Sequence, residues 1–280
     1  MFFQTESVMP HMTRIRSIAD TMMYLIEGTD RALLIDTGCG AGDLKGLIDS
    51  LTDKPVTVLL THGHVDHAMG THGFEDVYID PSDRDVYAEH SQDKMRRGYA
   101  VGLPEEAWGP FDHPAEADWT APLPFDRLRP LNVGDVFDLG GITAHVTEGA
   151  GHTPGCVTVL LPELRVLILG DACNEFTFLF EKYSSSVTAF RDMLVRLKAA
   201  TDGKYDRVLF FHWSGEGDVN MIQGVIDVCN DILNGKSERI PFQSFIKGNA
   251  VIARAMDGFR FDQPDRKPGN VVYDPGKLWV

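Results

Sequence analysis

Short apolar segments and helical periodicities follow one another along the chain in two successive runs. In the first run, the β-rich segments 21–27 and 31–36 flank a glycine-containing turn and predict adjacent strands. Leucine and isoleucine at helical spacing predict a helix over 41–51. The other predicted strands cover 55–60, 77–80, 135–139, 142–147, 156–161, 165–169 and 206–211, and the other predicted helices cover 81–97, 187–200 and 219–233. This order favours an α/β fold, with two sheets packed face to face and helices outside, over a doubly wound parallel sheet.

Two segments depart from this regular pattern. Residues 83–130 pass, beyond about 98, into proline-rich sequence with weak periodicity, which indicates an irregular insertion or lid. Residues 236–280 read as a short C-terminal extension, with short strand-like stretches over 250–280. We therefore predict a single domain over 1–280.

The net charge of the chain limits the kinds of molecule that we expect it to bind. The 280 residues carry 41 acidic and 26 basic side chains, a net charge of −15. Such a field repels phosphate backbones and anionic membrane surfaces, so we expect a small-molecule substrate and neither a nucleic acid nor a membrane as partner. The four cysteines form no CxxC pair and the N-terminal stretch does not resemble a signal peptide, which favours reduced thiols and a cytoplasmic location.

A cluster of metal-ligand side chains follows the predicted strand 55–60. The stretch Val58 to Gly70 contains His62, His64, Asp66 and His67 in one short loop. Imidazole and carboxylate groups are the ligands that zinc and similar divalent metals bind in proteins. This density of ligands in one loop predicts a metal site at the end of the strand.

Three more potential ligands also follow apolar strands. They are His152 in GAGHTPGC, Asp171 in LILGDACN and His212 in VLFFHWSG. Loops at strand ends can converge on one cleft while the strands hold them rigidly. Seven ligands exceed the three of one catalytic zinc, and they divide into two sites that share one carboxylate, as two-metal hydrolysis requires.

The chain resembles the metallo-β-lactamase superfamily in five features. They are HxHxDH at 62–67, the GHTxG histidine, the GD aspartate, the late strand-end histidine and LLIDTG at 33–38. The resemblance implies an αββα sandwich of two mixed sheets with helices on both outer faces. It implies one metal held by His62, His64 and His152, a second held by Asp66, His67 and His212, and Asp171 as the bridging ligand. Asp36 is either an orienting partner of a ligand histidine or a simple turn residue.

The resemblance further implies a binuclear metal-dependent hydrolase that uses a metal-bridging hydroxide to cleave an ester, thioester or lactone bond in a small molecule. Asp66 would be the catalytic residue that orients the nucleophile and passes a proton to the leaving group. The cofactors would be two divalent ions, Zn²⁺ by default, with iron or manganese as alternatives. A mononuclear iron enzyme similar to persulfide dioxygenases, and β-lactam hydrolysis, are the alternative functions.

The family's subclasses are separated by residues outside the ligand set. Lactonases of the family typically place a tyrosine shortly after the bridging aspartate, whereas this chain has Asn174 there and no tyrosine before Tyr183. Glyoxalase II-like thioesterases typically add a C-terminal helical region with basic residues, and the tail 236–280 shows no clear match to it. The aromatic residues Phe176, Phe178 and Phe180 would line an acyl pocket or fill the core.

The remaining chemistry-bearing residues receive structural interpretations. We expect surface or ordinary structural roles for His11, His72, His90, His113 and His145. Cys156 and Cys173 lie near candidate ligands in sequence and would either line the cleft or be small buried residues, which is the commoner case. Trp108, Phe111 and Trp119 would either close the site as part of a lid or pack against the scaffold.

Overall fold

The computed structural model describes residues 1–102, 110–243, 249–256 and 268–279. These residues form two compact units. The first unit comprises Met1–His145 and Phe211–Gly215, and the second comprises Val146–Phe210 and Glu216–Val280. No described helix combines the length and the apolar character that a membrane crossing requires.

The first unit is built on a seven-stranded sheet whose strands lie in chain order, β1 to β7. These strands are Phe3–Met9, Met12–Ser17, Met22–Glu27, Ala32–Ile35, Val56–Leu59, Val77–Ile79 and Arg129–Pro130. The first four pair antiparallel, and β4 to β7 pair parallel. Strand β8, Val136–Asp138, pairs antiparallel with the start of β9, Thr143–Glu148.

Parallel pairing brings the candidate loops to one edge of this sheet. Ile35 at the end of β4 is in register with Leu59 at the end of β5, and the Asp36 N–H donates to the carbonyl of Leu59 at 2.9 Å. The buried residues of both strands are nearly all apolar, which is typical of a sheet covered on both faces. The segments that follow β4 and β5 therefore start side by side.

The described residues of the first unit form three α-helices, which differ in part from the sequence prediction. Helix α1, Leu44–Leu51, begins after Asp43, whose side chain accepts the Gly46 N–H. The single helix predicted over 81–97 is wrong, because the chain forms a short 3-10 turn followed by α2, Arg84–His90, and α3, Asp93–Gly102. The break follows Ser91, whose hydroxyl donates to the Ala88 carbonyl and so competes with continued helical bonding.

The segment between α3 and β7 packs against the first unit. Phe111 and Trp119 contact a buried cluster that includes Ile18, Cys39 and Ala100. The Trp119 indole N–H also donates to the Pro114 carbonyl at 3.1 Å. Of the two alternatives for these aromatic residues, the structure therefore supports packing against the scaffold, whereas Trp108 lies outside the described residues.

In the second unit, the part of the chain that the structure describes forms two sheets and two α-helices. One sheet has the order β14-β13-β11-β10-β9, and the other has the order β12-β17-β16-β15. The strands not yet given are β10 Val157–Leu161, β11 Val166–Ile168, β12 Thr177–Leu179, β13 Arg207–Leu209, β14 Glu216–Gly217, β15 Ile240–Phe242, β16 Ala250–Ile252 and β17 Val271–Tyr273. Strand β12 was not predicted, and it pairs in parallel with β17 near the end of the chain.

Helices α4, Val187–Thr201, and α5, Met221–Leu233, supply much of the second unit's core. The Ser186 hydroxyl accepts the Ala189 N–H at the start of α4, which is typical of a serine at the N-cap of a helix. Helix α5 begins after Asn220, two residues later than predicted, and the Asp218 side chain accepts the Asn220 N–H. The short strands expected over 250–280 are present as β16 and β17, whereas β15 precedes that segment and was not predicted.

Candidate metal centre

The candidate ligand loop of the first unit, residues 61–67, is tied to the end of β4 by Asp36. The Thr61 backbone N–H donates to Asp36 Oδ1 at 2.7 Å, and the Thr61 hydroxyl donates to Oδ2 at 2.8 Å. Asp36 is fully buried and its backbone has a φ of +63°, the left-handed region that aspartate tolerates better than most residues. This conformation turns the carboxylate towards the loop that follows the neighbouring strand.

Asp36 also contacts His67, so its interpretation as an orienting partner is the one that the geometry supports. The Nδ1 atom of His67 lies 2.8 Å from Asp36 Oδ2, and both side chains are fully buried. Burial raises the pKa of the Asp36 carboxyl, and the hydrogen bonds from His67 and Thr61 oppose that rise. With the Nδ1 hydrogen directed at the carboxylate, the His67 Nε2 lone pair points the other way, as in metal-ligating histidines.

The His67 Nε2 atom lies in a group of three potential ligands. It is 3.7 Å from Asp66 Oδ2 and 3.3 Å from His212 Nε2, and the latter atom is 3.5 Å from the same carboxylate oxygen. All three ligand atoms lie within 4.8 Å of one another. Two imidazole nitrogens and one carboxylate oxygen at such distances match the donor set of a divalent metal ion.

His212 reaches this group from a segment that returns to the first unit. The Met22 N–H donates to the carbonyl of Phe211 at 2.7 Å, which fixes the residue before His212 to β3. Trp213 has a φ of +55°, and its N–H donates to Asp20 Oδ2 at 3.0 Å. The resulting sharp turn directs the His212 ring towards Asp66 and His67.

His62 and His64 occupy the first half of the same loop. The ring centroid of His62 lies 4.2 Å from that of His67 and 4.8 Å from that of His64. His62 is fully buried, and His64 is almost so. Side-chain nitrogens of His62 and His67, with an oxygen of Asp36, again lie within 4.8 Å of one another.

Two residues outside the motif hold this half of the loop. The buried Asp83 accepts the Gly63 N–H at 2.7 Å instead of capping α2. His90 at the end of α2 accepts the Val65 N–H through Nδ1 at 3.1 Å, and its ring stacks on that of His64 with centroids 4.6 Å apart. Sequence reasoning gave His90 only a surface or structural role, because its contact with the loop is tertiary.

Gly63 is required by the close approach of α2. A Cβ atom at this position would lie 2.9 Å from the Tyr87 backbone nitrogen and 3.3 Å from the Asp83 carbonyl oxygen. Backbone atoms of a helix cannot yield as a flexible side chain can. The second position of the HxH segment therefore needs a residue without a side chain.

Tyr99 of α3 is a further neighbour that the motif does not contain. Its hydroxyl donates to Asp66 Oδ2 at 2.9 Å. No spacing rule links a helix residue 33 positions away to the histidine loop, so sequence reasoning could not find it.

In the second unit, two predicted ligands face each other. His152 Nε2 lies 4.0 Å from Asp171 Oδ2. The His152 Nδ1 atom lies 2.7 Å from the carbonyl oxygen of Phe178, which can only accept a hydrogen bond. Nδ1 therefore carries the hydrogen, and Nε2 presents its lone pair on the side of Asp171. The convergence of all seven predicted ligands in one site stays a prediction.

Local packing explains how the second unit positions His152. A Cβ atom on Gly151 would lie 2.4 Å from the Phe190 ring, so glycine is needed before the histidine. The Ser184 hydroxyl donates to the His152 carbonyl at 3.0 Å. Asp171 lies in the short turn Gly170–Ala172, which directly follows β11.

The other residues singled out in the sequence have structural surroundings. His72 is exposed, and His11, His113 and His145 make local hydrogen bonds away from the candidate ligands. All four cysteines are buried, and none of them is in a disulfide. Phe176 and Phe180 are buried, whereas Phe178 is half-buried, and their rings contact one another and Phe242 edge to face or tilted.

Comparison with known sequences identifies related proteins. Residues 19–205 match the model of the metallo-β-lactamase superfamily. An uncharacterised protein of Mycobacterium leprae is 31% identical over 157 residues, which are 54% of this chain and 65% of that protein. A second, from Mycobacterium tuberculosis H37Rv, is 32% identical over 136 residues, 46% of this chain and 54% of that protein. The matches thus span about half to two thirds of the mycobacterial relatives.

One group of relatives has a named activity. The acyl-coenzyme A thioesterase MBLAC2 of Gallus gallus is 26% identical over 209 residues, which are 69% of this chain and 72% of that protein.

Solved structures share the fold. A metallo-β-lactamase from Pontibacter korlensis matches with a TM-score of 0.59 and 18% identity, over 82% of this chain and 99% of that chain. The sec-alkylsulfatase Pisa1 from Pseudomonas sp. matches with a TM-score of 0.62 and 18% identity, over 83% and 42%. With the mixed sheets and five helices of the described residues, these matches confirm the predicted α/β fold class, the αββα sandwich.

Proposed function

Because the chain belongs to the metallo-β-lactamase superfamily, we propose that it is a binuclear metal-dependent hydrolase that cleaves a small-molecule thioester, with esters and lactones as the neighbouring substrate classes. The observation that carries this proposal is the grouping of Asp66, His67 and His212 beside the Asp36 carboxylate. A buried carboxylate that orients an imidazole towards a second carboxylate and a second imidazole has few uses other than metal binding.

The proposed ligand sets follow the order of the residues in the family's motif. His62, His64 and His152 would hold one ion, and Asp66, His67 and His212 would hold the other, with Asp171 shared between them. When bound, two such ions would polarise the substrate carbonyl and lower the pKa of water towards neutrality. Zinc is the proposed metal, because imidazole and carboxylate ligands at tetrahedral sites suit it well.

The protein's own residues would orient the reactants and move a proton. We assign to Asp66 the role of accepting a hydrogen bond from the attacking water and of passing the proton to the leaving group. A thiol has a pKa near 8.5, so a thiolate leaving group needs less help from a general acid than an alkoxide does. One carboxylate is therefore sufficient for thioester cleavage.

The thioester class is favoured over its alternatives by two features. The relatives with a named activity are acyl-coenzyme A thioesterases. Phe176 and Phe180 are buried, and the half-buried rings of Phe178 and Phe242 that pack on them offer apolar surface for an acyl chain. The Phe178 carbonyl accepts the hydrogen bond of His152. In the proposal, the apolar part of the substrate thus lies beside a metal ligand.

The net charge of −15 supports the rest of the proposal. We propose a small-molecule substrate rather than a nucleic acid or an anionic membrane, because phosphate-rich surfaces are repelled. Cytoplasmic location is likewise part of the proposal, and four buried cysteines outside disulfides are consistent with it.

The test is a hydrolysis panel on protein whose metal content has been measured. The panel compares kcat/KM for acyl-coenzyme A thioesters, lactones, carboxylic esters, β-lactams and phosphodiesters. Asp66→Asn is the matched inactive variant. We expect two metal ions per chain and saturable turnover of thioesters that the variant lowers at least 100-fold. One iron per chain with oxygen consumption, or turnover of β-lactams alone, would contradict the proposal.

A further inference from the structure

The hydroxyl of Tyr99 contacts the carboxylate oxygen that faces the two imidazoles. Tyr99 donates to Asp66 Oδ2 at 2.9 Å. The same oxygen lies 3.7 Å from His67 Nε2 and 3.5 Å from His212 Nε2. The tyrosine is therefore one hydrogen bond away from the group of three potential ligands, although it belongs to none of the sequence motifs.

Helix α3 holds Tyr99 in place through Arg96, one turn earlier on the helix. The Arg96 side chain is only 2% exposed, and its guanidinium donates to the carbonyls of Cys39 and Thr120. Residues three apart in a helix lie on the same face, so the anchor and the tyrosine are directed to the same side. The hydroxyl is thus presented by a fixed helix rather than by a loose loop.

A carboxylate oxygen can accept a hydrogen bond and bind a cation at the same time, because it has two lone pairs. A donor on Oδ2 therefore fixes the rotation of the Asp66 carboxylate without removing it from the ligand group. Outer hydrogen bonds of this kind orient metal ligands in proteins.

We propose that Tyr99 is a positioning residue that orients Asp66 for binding of the second metal ion and for catalysis. This inference rests on the proposed function, since it concerns the metal assigned to Asp66, His67 and His212. It adds a residue of α3, outside the superfamily motif, to the set on which activity depends.

The test compares Tyr99→Phe, which removes only the hydroxyl, with Tyr78→Phe as the matched control. Tyr78 lies on β6, and its hydroxyl accepts a hydrogen bond from the Arg129 side chain at 3.1 Å. Metal affinity is measured by competition of Zn²⁺ with a chromophoric chelator, and kcat and KM are measured separately with the preferred substrate.

We expect Tyr99→Phe to bind the first ion normally and the second about 10- to 100-fold more weakly, with kcat lowered by a similar factor and KM unchanged. Tyr78→Phe should match the wild-type protein in all of these measurements. If the wild-type protein binds two ions per chain and Tyr99→Phe binds both of them with wild-type affinity, this inference alone is overturned. Fewer than two ions per wild-type chain would overturn the proposed function and the inference with it.

Discussion

Asp36 and His67 form a fully buried pair in which a carboxylate oxygen lies 2.8 Å from the imidazole Nδ1. The pair links the end of β4 to the loop that follows β5. It sets which nitrogen of His67 presents a lone pair to Asp66 and His212. The orientation of this candidate ligand therefore depends on a residue 31 positions earlier in the chain.

Replacing Asp36 by asparagine tests the orienting role. Asparagine tolerates the φ of +63° and retains one oxygen, which can accept the Thr61 N–H. Its NH₂ group would then face His67 Nδ1, and an NH₂ group cannot accept a hydrogen bond. We expect metal affinity to fall about 10- to 100-fold in Asp36→Asn, measured by chelator competition.

The control is Asp49→Asn on the exposed face of α1, where the carboxylate contacts Lys45. An exposed pair of this kind contributes little, about 0–1 kcal/mol, to the free energy of unfolding. Metal affinity in this variant should equal that of the wild-type protein. Wild-type affinity in Asp36→Asn would show that the carboxylate does not orient the ligand.

His90 makes two separable contacts with the histidine loop. His90→Asn retains an acceptor near the position of Nδ1 but removes the ring that stacks on His64. His90→Phe retains a ring and leaves the Val65 N–H without its acceptor, a loss of about 1–3 kcal/mol for a buried donor.

We therefore expect Val65 amide exchange to accelerate in His90→Phe and to stay near the wild-type rate in His90→Asn. Hydrogen exchange measured by NMR resolves this single amide. Metal affinity should also fall more in the phenylalanine variant than in the asparagine variant. The reverse order would indicate that ring stacking, rather than the hydrogen bond, positions the loop.

Replacement of Gly63 and of Gly98 by alanine should change the free energy of unfolding in opposite directions. A Cβ atom on Gly63 would lie 2.9 Å from the Tyr87 backbone nitrogen, whereas one on Gly98 in α3 would have no atom within 4 Å. We expect Gly63→Ala to lower the free energy of unfolding by about 1–3 kcal/mol through overpacking. Gly98→Ala should raise it by about 0.5–1 kcal/mol, because alanine favours the helical backbone. Urea unfolding of both variants checks the sign, and an unchanged midpoint for Gly63→Ala would contradict the close approach.

The parts of the site that sequence alone predicted are those that follow directly from strand ends. Parallel strands end at one edge, so the placement of Asp36 beside the loop after β5 follows from the apolar runs that precede them. The pairing of Asp36 with a ligand histidine was also anticipated as one of two alternatives. These features depend on local patterns and on the geometry of a sheet.

The parts that were missed depend on contacts between distant segments. Asp83, His90 and Tyr99 lie on or beside helices whose approach to the loop is set by tertiary packing. The short strand β12 is stabilised by pairing with β17, 94 residues later in register. No periodicity within a window of 10 to 20 residues contains that information.

The four cysteines provide a prediction about reactivity and pH. Burial raises the pKa of the Cys39 thiol to about 11 and that of Cys229 to about 12, and it raises the pKa of Cys173 as well. At pH 8 the thiolate fraction of Cys39 is then roughly 10⁻³, and the thiolate is the reactive form. We expect a disulfide reagent such as Ellman's to modify none of the four quickly in the native protein and all four in denaturant.

The same shifts predict how stability depends on alkaline pH. Because the folded pKa values lie above the unfolded value, near 8.5, the stabilisation from neutral buried thiols is fully present below about pH 8.5. It is lost as the pH rises towards 11 and 12. Urea unfolding between pH 8 and 11 should show this decrease in the free energy of unfolding. For the modification experiment, Ser50→Cys on the exposed face of α1 is the control, because its thiol should react at the rate of a free thiol. Rapid native modification of Cys39, Cys173 or Cys229 at pH 8 would contradict their burial.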